Sequence, residues 1–155
     1  MKRFIFTLVS VFFFFGCSEE EPTSCPVCAN PLLDSSAVVE VTYITDGDTF
    51  EFIERGEDIK VRVLGLDCFE TKRGSRLTEQ ALERGISEDS ALALGFQAKY
   101  LCDSLLMGEQ IEMYRDSAED NFDSFGRLLR HVYVTKNRRR ISYQDTIISL
   151  GLSTP

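Results

Sequence analysis

Positive charge is what this 155-residue chain lacks most: 17 lysines and arginines stand against 25 acids, for a net charge of −8. Such a balance repels nucleic acid at long range, so a polyanion would be held only where a local basic patch or a divalent cation overcomes the overall field. A second C-x-x-C pair at zinc-ligand spacing is also missing. Cys25-Pro26-Val27-Cys28 stands alone in a proline-containing stretch, which argues against a zinc site. In an exported chain this pair reads as a local disulfide, with a redox-active motif as the alternative, and nothing around it has a thioredoxin-like βαβ pattern. No internal repeat is visible, which removes solenoids and propellers. No apolar run reaches the roughly 20 residues of a membrane span.

What the N-terminus does contain is Lys2 and Arg3, an apolar run from Phe4 to Phe15, and then Gly16-Cys17. That order is expected of a secretory signal peptide over residues 1–16. Gly16 before Cys17 resembles the lipobox of bacterial lipoproteins, with Phe14 where leucine is usual. The resemblance implies that Cys17 is lipidated and heads the mature chain. Ser18-Glu19-Glu20-Glu21-Pro22-Thr23 then reads as a polar tether, and residues 17–36 as a disordered linker carrying the C-x-x-C. Two or more acyl chains anchor a protein stably, so the expected location is the bacterial cell envelope, with the domain at 37–155 outside the cytoplasm and its membrane contact made through Cys17. Removing Lys2 and Arg3 takes the net charge from −8 to −10.

From residue 38 the pattern turns to strands. Val38 to Ile44 is rich in β-branched residues and stops at Thr45-Asp46-Gly47-Asp48, where glycine suits a turn. Phe50 and Phe52 alternate with Glu51 in a second strand, Arg55-Gly56-Glu57-Asp58 makes a hairpin, and a third strand over Ile59–Leu66 sets Val61 and Val63 opposite Arg62 and Leu64. Residues 71–86 are polar and read as a mobile flap, with a short helix from Thr78, whose hydroxyl would cap it, to Arg84. Ser87 is a good N-cap for a helix in which Ala91, Leu92, Phe96, Ala98, Leu101, Cys102 and Leu105 form the apolar face, ended by Gly108. Cys102 is expected to be a buried thiol. Ile111 and Met113 mark a fourth strand, Leu128–Val134 a fifth, and Ser142–Leu150 a last helix stopped at Gly151. Short twisted strands of this kind predict a closed barrel.

Carboxylates and arginines recur at the strand ends: Asp46-Gly47-Asp48-Thr49, Arg62, Asp67-Cys68-Phe69-Glu70, and Phe125-Gly126-Arg127. Acids able to hold a hard cation, together with guanidiniums able to clamp a phosphate, are the components of metal-assisted phosphodiester cleavage. Taken singly, each has a plainer reading. Asp46 and Asp48 also make an Asp-Gly turn, Arg62 could pair with Glu40 or Glu51 across strands, and Glu70 could be a solvated loop acid.

In this order, and with Gly95-Phe96-Gln97-Ala98 and Asp123-Ser124-Phe125-Gly126-Arg127 between and after them, these motifs resemble the staphylococcal nuclease (thermonuclease) family over about residues 38–153. The resemblance implies a mainly β fold with α, a five-stranded OB-fold barrel with two or three packed helices, and a calcium-dependent nuclease hydrolysing DNA or RNA. It further implies that Asp48, Asp67 and the backbone carbonyl of Cys68 ligate Ca2+, that Asp46 supports them from behind, and that Glu70 positions or deprotonates the attacking water. Arg62 and Arg127 match the pair that binds the phosphate, a task that bidentate geometry favours arginine for. Phe125 falls where the family stacks a nucleotide base. A non-catalytic domain of the same fold, binding nucleic acid or protein, is the other class of reading.

The chain departs from the family in three ways. Phe69 stands where proline is usual, so the loop carrying Asp67 and Glu70 loses a fixed φ. The segment from Glu70 to Gly95 is longer than the family norm and acidic at Glu88-Asp89, and the C-terminal helix of the best-known members has no counterpart before Pro155. One dense basic run, Lys136-Asn137-Arg138-Arg139-Arg140, lies between the fifth strand and the last helix. Arg138, Arg139 and Arg140 are candidates for phosphate-backbone contact, with a solvated turn or an anionic membrane surface as the alternatives. His131, the only histidine, is expected on a strand face and has no part in the family's mechanism.

Overall fold

The computed structural model describes residues 35–154; the expected leader, Cys17, the Cys25/Cys28 pair and the expected linker up to residue 34 lie outside them, while Ser36, placed at the end of that linker, opens the first strand. In chain order the elements are β1 (Ser36–Glu40), β2 (Tyr43–Ile44), β3 (Thr49–Glu54), β4 (Glu57–Val63), β5 (Asp67–Cys68), α1 (Ser75–Arg84), α2 (Glu88–Leu106), β6 (Gln110–Tyr114), β7 (Leu128–Lys136), β8 (Arg139–Ser142), α3 (Tyr143–Ser149) and β9 (Ser153–Thr154). Seven strands form one sheet in the order β1-β6-β7-β4-β3-β2, with β8 also paired to β7, while β5 and β9 make a separate short ladder. The ladders of the large sheet are antiparallel except that of β4 with β7, which sets Val61 opposite Leu128 in parallel. A parallel pair needs a long connection, and here both α1 and α2 lie between the two strands. The domain is mixed β and α, as expected, but its ladders form a path ending at β1 and β2 rather than a closed ring of five strands.

The alternation legible in the sequence sets the core. Phe50 and Phe52 of β3, Val61 and Val63 of β4, Ile111 and Met113 of β6, and Leu128, Val132 and Val134 of β7 are all at most 1% exposed. Each large side chain removed from water in this way stabilises the fold by about 1.5–3 kcal/mol before entropy is charged. Cys102 joins this core, as expected of a structural thiol, and burial pushes it up to about 12.

α2 is capped at Ser87, whose side chain accepts from the Ser90 N–H at 3.1 Å, but its buried face differs from the expected one. Ala91, Gly95, Ala98, Cys102 and Leu106 are buried, Leu92, Leu101 and Leu105 are only partly so, and Phe96 is 54% exposed. The physical reason is how near the helix lies to the chain beneath it. A Cβ on Gly95 would fall 2.6 Å from the Glu70 carbonyl oxygen and 2.7 Å from that of Phe69, so the seam of closest approach admits only small residues.

The segment expected to be a flap is instead packed. α1 starts at Ser75, three residues before the expected Thr78, and has no side-chain cap. It buries Leu77, Gln80 and Ala81, and Leu77 and Ala81 form a second apolar cluster with Phe69 and Ala91. The basic run is not a simple turn either. Asn137 and Arg138 take positive φ values of 51° and 63°, the left-handed pair of a tight hairpin, and join β7 to β8 with Lys136 opposite Arg139. Asn137 was the available signal.

Candidate active site

The β3–β4 hairpin brings the first motif and Arg62 together. Its register sets Thr49 opposite Arg62, and the Val63 N–H donates to the Asp48 carbonyl at 2.9 Å, so Asp48 ends beside the arginine. The turn carrying Asp48 is itself fixed from three directions. Asp46 Oδ1 accepts from the Asp48 N–H at 3.2 Å, Lys99 of α2 donates to the Thr45 carbonyl at 2.9 Å, and the buried Tyr143 hydroxyl of α3 donates to the Gly47 carbonyl at 2.7 Å. Neither Lys99 nor Tyr143 was singled out by sequence.

Asp48 is 1% exposed, and its carboxylate links the motifs. Oδ1 accepts from Arg62 Nη1 at 2.6 Å and from the Thr49 hydroxyl at 3.0 Å, while Oδ2 accepts from the Cys68 N–H at 2.8 Å. The other arm of Arg62, Nη2, donates to Asp67 Oδ1 at 3.1 Å and to the Leu66 carbonyl at 2.9 Å. One guanidinium therefore stands between the two carboxylates expected to share a cation, and Glu40 and Glu51, the plainer alternative for its partners, are not the ones it uses. Burial first, and then the neighbouring Asp46 carboxylate, push Asp48 up to about 7, with Arg62 pulling the other way. Burial therefore outweighs the Arg62 guanidinium 2.6 Å away.

Asp67 is set by β5, where its N–H donates to Ser153 Oγ at 2.7 Å, and its Oδ2 accepts from Arg76 Nη2 of α1 at 2.9 Å. The loop that follows is clipped by a residue no motif pointed to. Gln80, 4% exposed, donates from Nε2 to the Cys68 carbonyl at 2.9 Å and accepts through Oε1 from the Glu70 N–H at 3.0 Å. It spans the Phe69 peptide on both sides, while the Phe69 ring, 4% exposed, packs on the α1–α2 cluster. The fixed φ that proline would supply is replaced by a hydrogen-bonded clip and a buried ring. The Cys68 side chain is buried as well, and burial raises its thiol well above the usual range. The Glu70 side chain lines the cleft, and no hydrogen bond or ion pair engages its carboxylate among the described residues.

The third motif is an Asx-type turn. Asp123 Oδ1 accepts from the N–H groups of Phe125 and Arg127, each at 2.9 Å, Oδ2 accepts from Arg127 Nε at 2.7 Å, and Gly126 takes φ 76°. Burial opposes ionisation of Asp123, but the Arg127 and Phe125 donors hold its pKa below the usual carboxylate value. Arg127 Nη1 then reaches the Thr49 hydroxyl at 3.3 Å, which ties this turn to Asp48 through one residue. The Phe125 ring is 83% exposed, with the Arg127 guanidinium 5.4 Å from its centroid.

These residues surround an open cleft of about 590 Å³. Lys60, Arg62, Arg76 and Arg127 contribute four cations to its wall, against the carboxylates of Asp46, Asp67 and Glu70. In a chain with a strong overall excess of acid, cations and carboxylates are nearly balanced here, and each cation is ion-paired: Lys60 with Glu51, Arg62 with Asp48, Arg76 with Asp67 and Glu79, and Arg127 with Asp123. The donors Asp46, Asp48 and Asp67 are all hard oxygens, and the buried Thr45 Oγ1 on the cleft wall has no hydrogen-bond partner among the described residues. In kind this set fits a cation such as calcium. As arranged, with Arg62 between the acids, no three of the described histidine, cysteine or acidic residues converge as a ready metal cage.

The basic run is not part of this cleft. Arg140 stacks on Tyr133, 3.6 Å from the ring centroid, and pairs with Glu112 at 3.0 Å, while Lys136 pairs with Glu109 at 2.6 Å. Arg138 and Arg139 are exposed in the β7–β8 hairpin. His131 lies on β7 between Asp116, at 3.3 Å, and Gln144, at 3.0 Å, as a strand-face residue outside the cleft.

Sequence and structure together define a mixed β and α domain with an acid-and-arginine cleft. No protein-family model matches the chain. It is similar to a curated protein of Methanocaldococcus jannaschii described as uncharacterized protein MJ1439, 24% identical over 115 residues. The match covers 72% of this chain and 56% of the relative, so the chain spans little more than half of that protein's length.

Proposed function

We propose that this protein is a calcium-dependent phosphodiesterase that cuts DNA or RNA, of the staphylococcal-nuclease type, held at the bacterial cell envelope by a lipid on Cys17. The observation that carries the reading is the single hydrogen-bonded array Asp67–Arg62–Asp48–Thr49–Arg127, which joins all three motifs around one cleft with the Glu70 carboxylate beside it. The fold supports it too. β1 and β2 are separated by only Val41 and Thr42, and they pair with β6 and β3 respectively. Taken as two halves of one bent strand, they would join β3, β4, β6 and β7 in the five-stranded OB-type arrangement that this reading expects, with β8 as an added hairpin arm.

In this reading Arg62 and Arg127 hold the non-bridging oxygens of the scissile phosphate and stabilise the charge that grows there. Glu70 orients a water and takes its proton as the water oxygen bonds to phosphorus; the bond from phosphorus to the 5′-oxygen breaks, and that oxygen takes a proton from solvent. Asp48 and Asp67, with Asp46 behind them, would hold the calcium once Arg62 turns to the phosphate. Bound there, the ion would supply positive charge beside these carboxylates and polarise a phosphate oxygen. Phe125, exposed at the mouth, offers a face for a base.

The test uses the full chain in detergent, with fluorescent single-stranded DNA and either calcium or a chelator, beside Glu70→Gln. Calcium-dependent cleavage that falls by orders of magnitude in Glu70→Gln while binding persists is the expected result. A chain that is folded by circular dichroism yet leaves both single-stranded and double-stranded substrates whole would refute the enzyme. The engagement of the Cys68 carbonyl by Gln80 favours one second reading, a binding module of the same fold. In that case Glu70→Gln changes neither binding nor turnover.

A further inference from the structure

α1 belongs to the segment that is longer than the family pattern, yet it sends a cation into the cleft. Arg76, the second residue of the helix, lines the cleft wall with Arg62 and Arg127. Its position is fixed from behind, because the next residue, Leu77, is 0% exposed and Ala81 and Gln80 are buried along the same helix. Its head is not buried. The side chain is 48% exposed, and its two terminal nitrogens each meet one carboxylate, Nη2 with Asp67 Oδ2 at 2.9 Å and Nη1 with Glu79 Oε2 at 3.0 Å. Half-exposed ion pairs of this kind contribute little to stability, so holding α1 in place does not account for an arginine here.

Asp67 explains it better. Arg62 and Arg76 donate to its two oxygens, so the two guanidiniums lie either side of one carboxylate. When Asp67 turns its oxygens to a cation, each arginine gives up one contact on the cleft side, while Arg62 keeps Asp48 and the Leu66 carbonyl and Arg76 keeps Glu79. Arg62 is already assigned to the scissile phosphate. Arg76 then presents a planar fork one carboxylate width further along the wall, suited to a second anionic oxygen group.

We propose that Arg76 binds the phosphate next to the scissile one, and that α1 thereby selects polynucleotide strands over substrates with a single phosphate. This rests on the phosphodiesterase reading above. It also meets the requirement set by the chain's acidity, because every phosphate neutralised within the cleft offsets the repulsion of the whole.

Binding of a single-stranded oligonucleotide to full-length Glu70→Gln with calcium, titrated across salt concentrations, is the direct test. Adding Arg76→Gln should weaken binding about five- to tenfold at low salt and shallow the slope of log affinity against log salt by about 0.7, the value of one lost phosphate contact on a single strand. Arg76→Lys, which keeps the charge, should restore most of the slope. In the cleaving chain, Arg76→Gln should lower kcat/KM for an oligonucleotide about fivefold more than for a nitrophenyl ester of one nucleotide. An unchanged salt slope overturns the inference. So does an equal loss on both substrates, which would put Arg76 at the scissile phosphate or on Asp67 alone. If the parent chain cleaves nothing and Glu70→Gln binds nothing, the enzyme reading itself fails and takes this one with it.

Discussion

Gly95→Ala is the substitution that most directly tests how the site is built. A Cβ there would stand 2.6 Å from the Glu70 carbonyl oxygen and 2.7 Å from that of Phe69, both of them backbone atoms that no rotamer change can move aside. Carbon-to-oxygen contact needs about 3.3 Å, so α2 and the Glu70 loop must separate by about 0.6–0.7 Å. Overpacking of this size costs about 1–3 kcal/mol, while replacing glycine within a helix returns about 1 kcal/mol, so stability should fall by no more than about 2 kcal/mol. Activity should fall further, because misplacing a reacting group by about 1 Å costs on the order of a hundredfold; about tenfold is expected here. Gly74→Ala is the matched control: Gly74 is extended at φ 169°, and a Cβ there meets nothing within 4 Å. Thermal melts, amide chemical shifts of Phe69 and Glu70, and cleavage rates would be compared for both variants. The argument is wrong if Gly95→Ala leaves those two amide shifts where they were and cleaves at the parental rate.

Two further substitutions address the clip and the ring that stand in for proline. Gln80→Leu removes the donor to the Cys68 carbonyl and the acceptor of the Glu70 N–H, leaving two poorly satisfied backbone groups beneath the loop. Urea unfolding should show a loss of about 2–4 kcal/mol at unchanged m value, and a loss under about 1 kcal/mol would mean that water takes over the role of Gln80. Phe69→Pro, which brings in the residue usual in the family this chain resembles, should destabilise by about 2 kcal/mol, because loss of a ring buried against Leu77, Ala81 and Ala91 costs about 3 kcal/mol and the stiffer backbone returns at most about 1 kcal/mol. A variant as stable as the parent would show that the Phe69 ring contributes nothing to holding the loop.

Most of the elements were legible along the chain because they depend on neighbours. Period-two alternation marked β3 and β4, Ser87 announced the helix it caps, Ser142 was placed at the start of the last helix, and the acids and arginines stood at strand ends. Hydrogen-bonding side chains at the two serines carry that information within four residues, and a strand reveals its buried face by itself. The buried seam of α2 was misjudged because helical spacing shows which residues share a face, whereas the size permitted on that face depends on how near the next backbone lies, and only the fold brings the Phe69 and Glu70 carbonyls to Gly95. For the same reason nothing in the chain pointed to Gln80 and Tyr143 as supports beneath the cleft or to Arg76 on its wall. A glutamine within a helix, a tyrosine after a cap and an arginine in a polar stretch acquire their roles from partners that are far away in sequence or set by another element: Gln80 from Cys68, Tyr143 from Gly47, Arg76 from Asp67. Local pattern determined which residues are candidates for the chemistry. The approach of α1, α2 and α3 to the strand ends decided which of them meet and what holds them there.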